Sequence, residues 1–315
     1  MSPAEWYARQ RGRLALREAE RRRASGEIDS AVAGFDRAAT LDRTLRREAL
    51  DAAASLLIDQ GRPADAIVRL QGLVELDRKD VSNWRRLAHA LHETGDRKAA
   101  VKAWRRVQDV DPRDLEANRE LADLLPQGSR DSIAPMQVVA EAAKASDPAP
   151  WRRLAKLLEL NHEAEAAIVA WQAVLAAEAD DRAAHERLAV LQEGLGHKAE
   201  AATHQKALAA ADPAKPGAWK RYARTLGELG RDAEASEAWR RVIAIDDQDI
   251  DAHAALAERI GERDAAALPH LAVLAERGPD LAGARRRLAL TLEQNHEPAA
   301  AALAWQAVLA AKPGD

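Results

Sequence analysis

Residues 84–112 read WRRLAHALHETGDRKAAVKAWRRVQDVDP, and this stretch decides the fold. In each half, apolar and small residues recur at spacings of three, four and seven, which is the pattern of an amphipathic helix. Gly95 separates the halves and predicts the end of the first helix, because glycine adopts the left-handed conformation without a steric penalty. Asp111 and Pro112 predict the start of the next helix, since Asp can cap a free N–H and Pro is tolerated at the first helical position. The stretch therefore predicts two antiparallel helices joined by a tight turn.

The same pattern recurs along the chain. Trp84, Trp151 and Trp219 open equivalent stretches. Each stretch is separated from the next by two units of about 34 residues each. At these residues the sequence resembles the tetratricopeptide repeat family, with a large residue, Leu, a small residue and a large residue on the first helix, followed by Ala, an aromatic residue, Ala and Pro. The departures from the family pattern are Ala for Gly at Ala88, Ala155 and Ala223, and Trp at Trp104, Trp171, Trp239 and Trp305.

The resemblance implies an all-α protein, a right-handed α-solenoid of about nine helix-turn-helix units in a single domain over residues 1–315. The units are expected near 1–49, 50–83, 84–117, 118–150, 151–184, 185–218, 219–252, 253–284 and 285–315. A larger period is also visible. Pro135 recurs as Pro269, and the Asn-His-Glu triplet at 161–163 recurs at 295–297 with the same separation along the chain. We infer that a block of four units was duplicated.

Composition narrows the classes of function. Charged residues make up 31% of the chain, the net charge is −4, and cysteine is absent, so disulfides, thiolate nucleophiles and Cys-based zinc sites are excluded. The N-terminal region has no continuous apolar run, which indicates neither a signal peptide nor a membrane span and makes the cytoplasm the default location. Interspersed charges predict neither nucleic-acid binding nor membrane binding.

No catalytic or cofactor-binding motif is present, so the sequence predicts a protein that is not an enzyme and that holds no cofactor or metal. His162 and His296 fall at the turns between helices, where Asn161 and Asn295 tolerate a left-handed helix end, so turn chemistry is favoured over metal binding. His89 and His92 share a helix face, but that spacing alone is a weak signal for a metal ligand.

The resemblance also implies that the first helix of each unit lines a concave groove. Basic residues follow the leading position of these helices and acidic residues stand seven or eight positions later, on the same face. The predicted partner-binding residues are Arg85, His89, Arg119, Arg152, Lys156, Lys220, Arg224, Arg286, Glu159, Glu193 and Glu293. This pattern indicates a groove for a protein or a charged peptide. The alternative is a solvated face whose opposite charges satisfy one another.

Residues 299–311 form an almost wholly apolar helix near the end of the chain. Because a solenoid end normally carries a polar capping helix, the outer flank of this helix predicts a docking surface, or a chain that continues into a longer polypeptide. The predicted docking residues are Leu303, Trp305, Val308 and Leu309. The sequence thus predicts a protein-interaction scaffold. The alternatives are a non-catalytic front module of a bacterial enzyme, such as a glycosyltransferase or sulfotransferase, and a scaffold that self-associates through this end.

Overall fold

The computed structural model describes residues 3–261 and 263–311. Within these ranges the chain forms eighteen α-helices and two short 3-10 helices, with no β-strand. The chain divides into two compact units, the first ending at Glu163 and the second beginning at Ala164. The predicted fold class, an all-α solenoid built from helix pairs, is confirmed. The prediction of one domain over residues 1–315 stays a prediction.

In the first unit each helix packs against the next one in the chain. Its helices are α1 (Pro3–Ala24), α2 (Ile28–Leu41), α3 (Arg46–Asp59), α4 (Pro63–Leu76), α5 (Val81–Glu93), α6 (Arg97–Val110), α7 (Leu115–Leu124), α8 (Ile133–Glu141) and α9 (Ala149–Leu160). A 3-10 helix, Arg130–Ser132, precedes α8.

The second unit is built in the same way. Its helices are α10 (Ala164–Ala177), α11 (Arg182–Gly194), α12 (Lys198–Ala211), α13 (Pro216–Glu228), α14 (Asp232–Ile245), α15 (Ile250–Ile260), α16 (Leu268–Arg277), α17 (Leu281–Gln294) and α18 (Pro298–Ala311). A 3-10 helix, Ala265–Ala267, precedes α16. No helix in the described ranges combines the length and the apolar character that crossing a lipid bilayer requires.

The turns between repeats are capped differently from the prediction. Asp111 ends α6, and its carboxylate accepts from the Arg113 N–H at 3.1 Å. Helix α7 starts only after Asp114, which accepts from the Ala117 N–H at 2.8 Å. The prediction that Asp111 and Pro112 open the helix is therefore wrong, because the chain needs this short turn before Asp114 can cap the next N-terminus. The same cap recurs at Asp80, Asp181 and Asp249.

A second contact also holds the turns. The side chain at the leading position of a first helix donates an N–H to a backbone carbonyl in the turn before it, at 2.9–3.0 Å. The donors and acceptors are Trp84 to Arg78, Asn118 to Pro112, His185 to Ala179, and His253 to Asp247. Three chemically different residue types thus donate to the equivalent, otherwise unpaired carbonyl of each repeat. This explains why the leading position of the first helix varies between Trp, Asn and His.

The core of each unit lies between neighbouring hairpins. Trp104, Trp171 and Trp239 are buried to 3% exposure or less, and Phe35 takes the equivalent place in the first repeat. This is the anchoring role that the repeat pattern predicts for them. Trp6, in contrast, is 47% exposed on α1, so the apolar residues near the start of that helix are not all part of the core.

Structural features repeat across the predicted four-unit duplication. The two 3-10 helices hold equivalent places in the repeat, and Pro135 and Pro269 both lie in the first turn of the helices that follow them. In the turns after α9 and α17, His162 and His296 have positive φ angles of 59° and 63°. The prediction that Asn161 and Asn295 take the left-handed conformation is wrong.

Asn161 has an ordinary φ of −99° and caps α9 instead. Its amide donates to the carbonyls of Leu157 and Gly128 at 2.8 and 3.1 Å. Because Asn161 is bound in this way, the next residue, His162, makes the reversal and its N–H reaches the Glu159 carbonyl at 3.0 Å. The histidines are therefore placed by turn geometry, as Gly95 is in the corresponding turn after α5.

Candidate functional site: charged faces of the first helices

In the first unit, the predicted groove residues of α5 face α7. Arg85 donates to the Asp114 carboxylate and lies 3.4 Å from a carboxylate oxygen of Glu116. One turn later, His89 Nε2 lies 2.9 Å from Glu116, and the His89 ring meets the buried Trp104 ring edge-on with 4.9 Å between centroids. These contacts form one lateral network between neighbouring first helices.

The second unit contains the same network in the repeat that corresponds by the four-unit period. Lys220 on α13 donates to Asp249 and lies 3.5 Å from Asp251, while Arg224 donates to Asp251 at 2.9 Å. Arg224 also lies over the Trp239 ring, 6.0 Å from its centroid. Lys220 and Arg224 thus correspond to Arg85 and His89, and Asp249 corresponds to Asp114.

One acceptor in each network is an N-cap carboxylate, and these two carboxylates are buried. Asp114 is 5% exposed and Asp249 is 7% exposed. Burial opposes the charge on Asp249, but hydrogen bonds from Lys220 and the Ala252 N–H outweigh it, so the pKa of Asp249 lies below its ordinary value. Burial lowers the pKa of Lys220, but Asp249 and Asp251 outweigh this effect and raise it above its ordinary value. Each network therefore joins the capping of one repeat to a cation of the repeat before it.

The predicted acidic row is also engaged. Glu193 accepts from Arg221 at 2.9 Å and from Gln205 at 2.7 Å, and Glu293 accepts from the Trp305 indole N–H at 2.8 Å. Arg152, Glu159 and Arg286 interact with neighbouring groups as well. Many of the charges predicted to face a partner are therefore satisfied within the protein, as the alternative interpretation expected. This arrangement leaves their role in binding as a prediction.

Two predicted groove residues differ from the rest. Arg119 on α7 and Lys156 on α9 are exposed, and neither makes an ion pair within residues 3–261 and 263–311. Nearby, the exposed His92 lies 3.2 Å from the half-buried Glu120. Exposed pairs of this kind contribute only about 0–1 kcal/mol each, so a charged partner can displace them at little cost. Arg119 and Lys156 are the predicted cations that are free to meet a partner directly.

The predicted docking residues of α18 separate into two groups. Leu303 and Leu309 are 67% and 51% exposed, and Trp305 is half-buried. Val308 is 4% exposed, so it packs inside the repeat and does not contribute to the outer flank. The apolar flank therefore consists of Leu303, Leu309 and the edge of Trp305.

Sequence reasoning missed the acceptors of the cation network. Each N-cap Asp sits three positions after an acidic residue in the turns DRKD (77–80), DPRD (111–114), EADD (178–181) and DDQD (246–249). That spacing was a usable signal. Asn118 is fully buried, accepts a hydrogen bond from the Gln108 amide and donates to two backbone carbonyls. Across the described residues, no group of three or more His, Cys, Asp or Glu side chains could hold a metal ion.

Part of the chain matches a protein-family model, and several solved structures are similar to it. Residues 57–124, which contain Arg85 and Asp114, match the family model of the tetratricopeptide repeat. The C-terminal part of a TPR repeat-containing protein from Cytophaga hutchinsonii is 15% identical, with 83% of this chain and 95% of that chain covered and a TM-score of 0.41. The TPR domain of P58(IPK) is 15% identical, with 96% and 93% covered and a TM-score of 0.30.

YrrB, described as a TPR protein with an unusual peptide-binding site, is also 15% identical, with 59% of this chain and 96% of that chain covered and a TM-score of 0.36. At these identities and TM-scores, the three likenesses carry no argument about function. No curated protein matches the chain.

Proposed function

Since residues 57–124 match the tetratricopeptide-repeat family model and the chain folds as an all-α solenoid of helix pairs, we propose that it is a protein-interaction scaffold that binds an extended acidic peptide segment on the first helices of its first unit. The proposal is carried by two exposed cations, Arg119 and Lys156, which have no acidic partner among residues 3–261 and 263–311. They lie on a face where neighbouring charges are bound to one another. Repeats of this kind present binding surfaces built from successive units.

The charge on this face favours an acidic partner. Arg85 and His89 already have carboxylate partners in Asp114 and Glu116, so a further cation gains nothing from those acids. An acidic side chain, in contrast, finds Arg119 and Lys156 unpaired within the described residues. Several weak contacts of this type give a salt-dependent interaction in which electrostatics sets specificity and association rate.

The test uses defined peptides with the intact chain. A fluorescent peptide of ten alternating Glu and Ser residues is titrated against the wild-type chain and against the double variant Arg119→Glu, Lys156→Glu. Wild type should bind more tightly at low salt than at high salt. The variant should lose about tenfold in affinity, since each factor of ten corresponds to about 1.4 kcal/mol.

A matched control reverses two exposed lysines on another face. Lys98→Glu with Lys102→Glu places the same change in net charge on the second helix α6, where both residues are exposed. This control should bind the acidic peptide within about twofold of wild type, because only long-range charge has changed. Equal losses in the two double variants, or a preference for a Lys-Ser peptide, would reject the acidic-peptide proposal.

The outer flank of α18 is a second proposed docking surface. Its occupant is an amphipathic helix that resembles α11, with small and apolar residues spaced like Ala184, Leu188 and Ala189. Helix α11 is the guide because it packs on α10, and α10 ends in the same eight residues as α18. Leu309→Glu should abolish binding of such a helix and leave acidic-peptide binding unchanged. Leu303→Glu is the matched control and should leave helix binding unchanged, because the equivalent Val169 stays 61% exposed although α11 packs on α10. Concentration-dependent sedimentation that Leu309→Glu removes would instead identify a second copy as the occupant.

A further inference from the structure

Two pairs of histidine rings meet inside hairpins of the second unit. His185 on α11 and His204 on α12 place their Nδ1 atoms 2.9 Å apart. His253 on α15 and His270 on α16 do the same, also at 2.9 Å. The ring centroids are 5.2 and 5.0 Å apart and the ring planes are inclined by 51° and 53°. One arrangement thus occurs twice, although the partners are slightly closer along the chain in the second hairpin than in the first.

The second nitrogen of the first-helix ring fixes its tautomer. His185 Nε2 lies 3.0 Å from the Ala179 carbonyl, and His253 Nε2 lies 3.0 Å from the Asp247 carbonyl. A carbonyl oxygen only accepts, so Nε2 carries the hydrogen and the neutral ring has its lone pair on Nδ1. A histidine that donates one ring N–H to a backbone carbonyl and directs the other nitrogen elsewhere is oriented like a metal ligand.

The fold does not require histidine at these positions. At the positions equivalent to His185 and His204, other repeats have Trp on the first helix and Ala on the second. The pairs are Trp84 with Ala103, Trp151 with Ala170, and Trp219 with Ala238. An apolar pair therefore meets the packing need of this repeat. The two histidine pairs replace it with four ring nitrogens, of which two in each pair face one another.

We propose that each histidine pair is a two-nitrogen chelate for a divalent transition-metal ion, with Cu²⁺ as the best-fitting ion and water in its remaining positions. Two nitrogens that each lie about 2.0 Å from one ion are about 2.8 Å apart at 90° and about 3.3 Å apart at the tetrahedral angle. In the metal-free chain, 2.9 Å is the length of a hydrogen bond in which His204 or His270 donates its Nδ1–H to the partner ring. A neutral ring can carry that hydrogen on Nε2 instead, and the two Nδ1 atoms are then already spaced for the right angle of square-planar coordination, which Cu²⁺ adopts with imidazole ligands.

The surroundings of the rings suit such a site. His185, His204 and His270 are half-buried, so the rings are held by packing but one side remains open to water. Burial lowers the pKa of His204 and of His270, and the neighbouring histidine adds to the effect in each pair. Protons therefore compete less with a metal for these nitrogens at neutral pH. Arg240 also contributes to the lowered pKa of His270, and its charge makes the second site the weaker one.

The test is equilibrium dialysis of the metal-free intact chain against Cu²⁺ at pH 7.5. Wild type should bind two ions, the first more tightly than the second, and its electron paramagnetic resonance spectrum should show two nitrogen ligands for each ion. The variant His185→Trp with His204→Ala introduces the pair used by three other repeats, so it should fold and bind one ion. Adding His253→Trp with His270→Ala should remove both ions.

His89→Gln with His92→Gln removes two histidines outside the pairs and should leave the number of bound ions unchanged. Helix content measured by circular dichroism checks that each variant is folded. If a variant with Trp and Ala in place of a histidine pair unfolds, the number of bound ions is measured instead for the single substitutions His204→Ala and His270→Ala. Absence of Cu²⁺ binding by wild type, or a stoichiometry that the paired substitutions do not alter, overturns the proposal.

Discussion

Trp171 and Trp305 occupy the same place in two identical octapeptides, AWQAVLAA at residues 170–177 and 304–311, but only Trp171 is fully enclosed. Trp171 is 1% exposed, whereas Trp305 is half-buried and donates its indole N–H to Glu293 at 2.8 Å. The difference comes from the neighbours, since α11 packs on α10 while α18 is the last helix that the structure describes. One local sequence thus has two environments.

The two tryptophans should therefore respond differently to truncation. Trp171→Ala is expected to destabilise its unit by about 3–5 kcal/mol, because it leaves a cavity between packed helices. Trp305→Ala should lower the free energy of unfolding by less than half as much, since the environment of Trp305 is already partly solvated. Urea denaturation followed by circular dichroism measures both. Equal losses would show that burial between hairpins does not govern the stability of the array.

The left-handed turns after α9 and α17 hold a steric strain that glycine would relieve. His162 and His296 have φ angles of 59° and 63°, in the region where a Cβ atom crowds the following carbonyl. His162→Gly should therefore stabilise the chain by about 0.5–1 kcal/mol, after subtraction of the greater freedom of glycine in the unfolded chain. Thermal or urea unfolding provides the measurement.

The reverse substitution is the matched control. Gly95 has a φ of 83° in the corresponding turn after α5, so Gly95→His should destabilise by a similar amount. A destabilising effect of His162→Gly would mean that the histidine side chain contributes a contact worth more than the backbone strain.

The contact between Lys220 and Asp249 should contribute more to the stability of the fold than the exposed ion pair between Arg224 and Asp251. Lys220→Met removes the charged donor from a carboxylate that is 7% exposed, and we expect a loss of about 1–3 kcal/mol at neutral pH. Arg224→Met removes an exposed partner of Asp251 and should change stability by less than about 1 kcal/mol. Equal effects would indicate that burial of the N-cap carboxylate is unimportant.

Acidification provides an independent test of the Asp249 contact. The pKa of Asp249 lies below its ordinary value of 3.8, so the folded state binds the proton less readily than the unfolded chain. Its stabilising contribution is therefore complete above the unfolded pKa and is lost as pH falls through the folded pKa. Below about pH 4, the difference in stability between wild type and Lys220→Met should shrink. A difference that is constant with pH would contradict this assignment.

The histidine pairs predict a second pH dependence of stability, separate from that of Asp249. The pKa values of His204 and His270 are lowered by burial and by their partners His185 and His253, so the fold prefers the neutral rings. Stability is then complete above the unfolded pKa of about 6.5 and declines as pH falls from there towards the lower folded pKa. Unfolding midpoints measured without metal between pH 7.5 and 5 should show this decline.

The chain in which both pairs are replaced by Trp and Ala should lose this dependence on pH. Arg240, which also lowers the pKa of His270, remains in that variant and does not titrate in the range. A decline that persists unchanged would have to come from groups outside the two pairs.

The sequence by itself determined the helix pairs, their period and the buried tryptophans, because amphipathic spacing and tight turns are local properties that recur in every unit of the repeat. The recurrence of Pro135 as Pro269 follows the same period, and both residues lie in the first turn of a helix, where proline is tolerated. It could not identify the left-handed residue at 162, because that depends on the Asn161 amide reaching the Gly128 carbonyl of the preceding repeat.

Only the tertiary structure decided which charges and histidines meet. Arg85 reaches Asp114, and His185 reaches His204, across distances in the chain that no short motif spans. Hydrogen bonds and ion pairs require their atoms to lie within about 3–4 Å, and the packing of one helix on the next sets that separation. The same packing encloses Trp171 and leaves Trp305 partly in water, although their local sequences are identical.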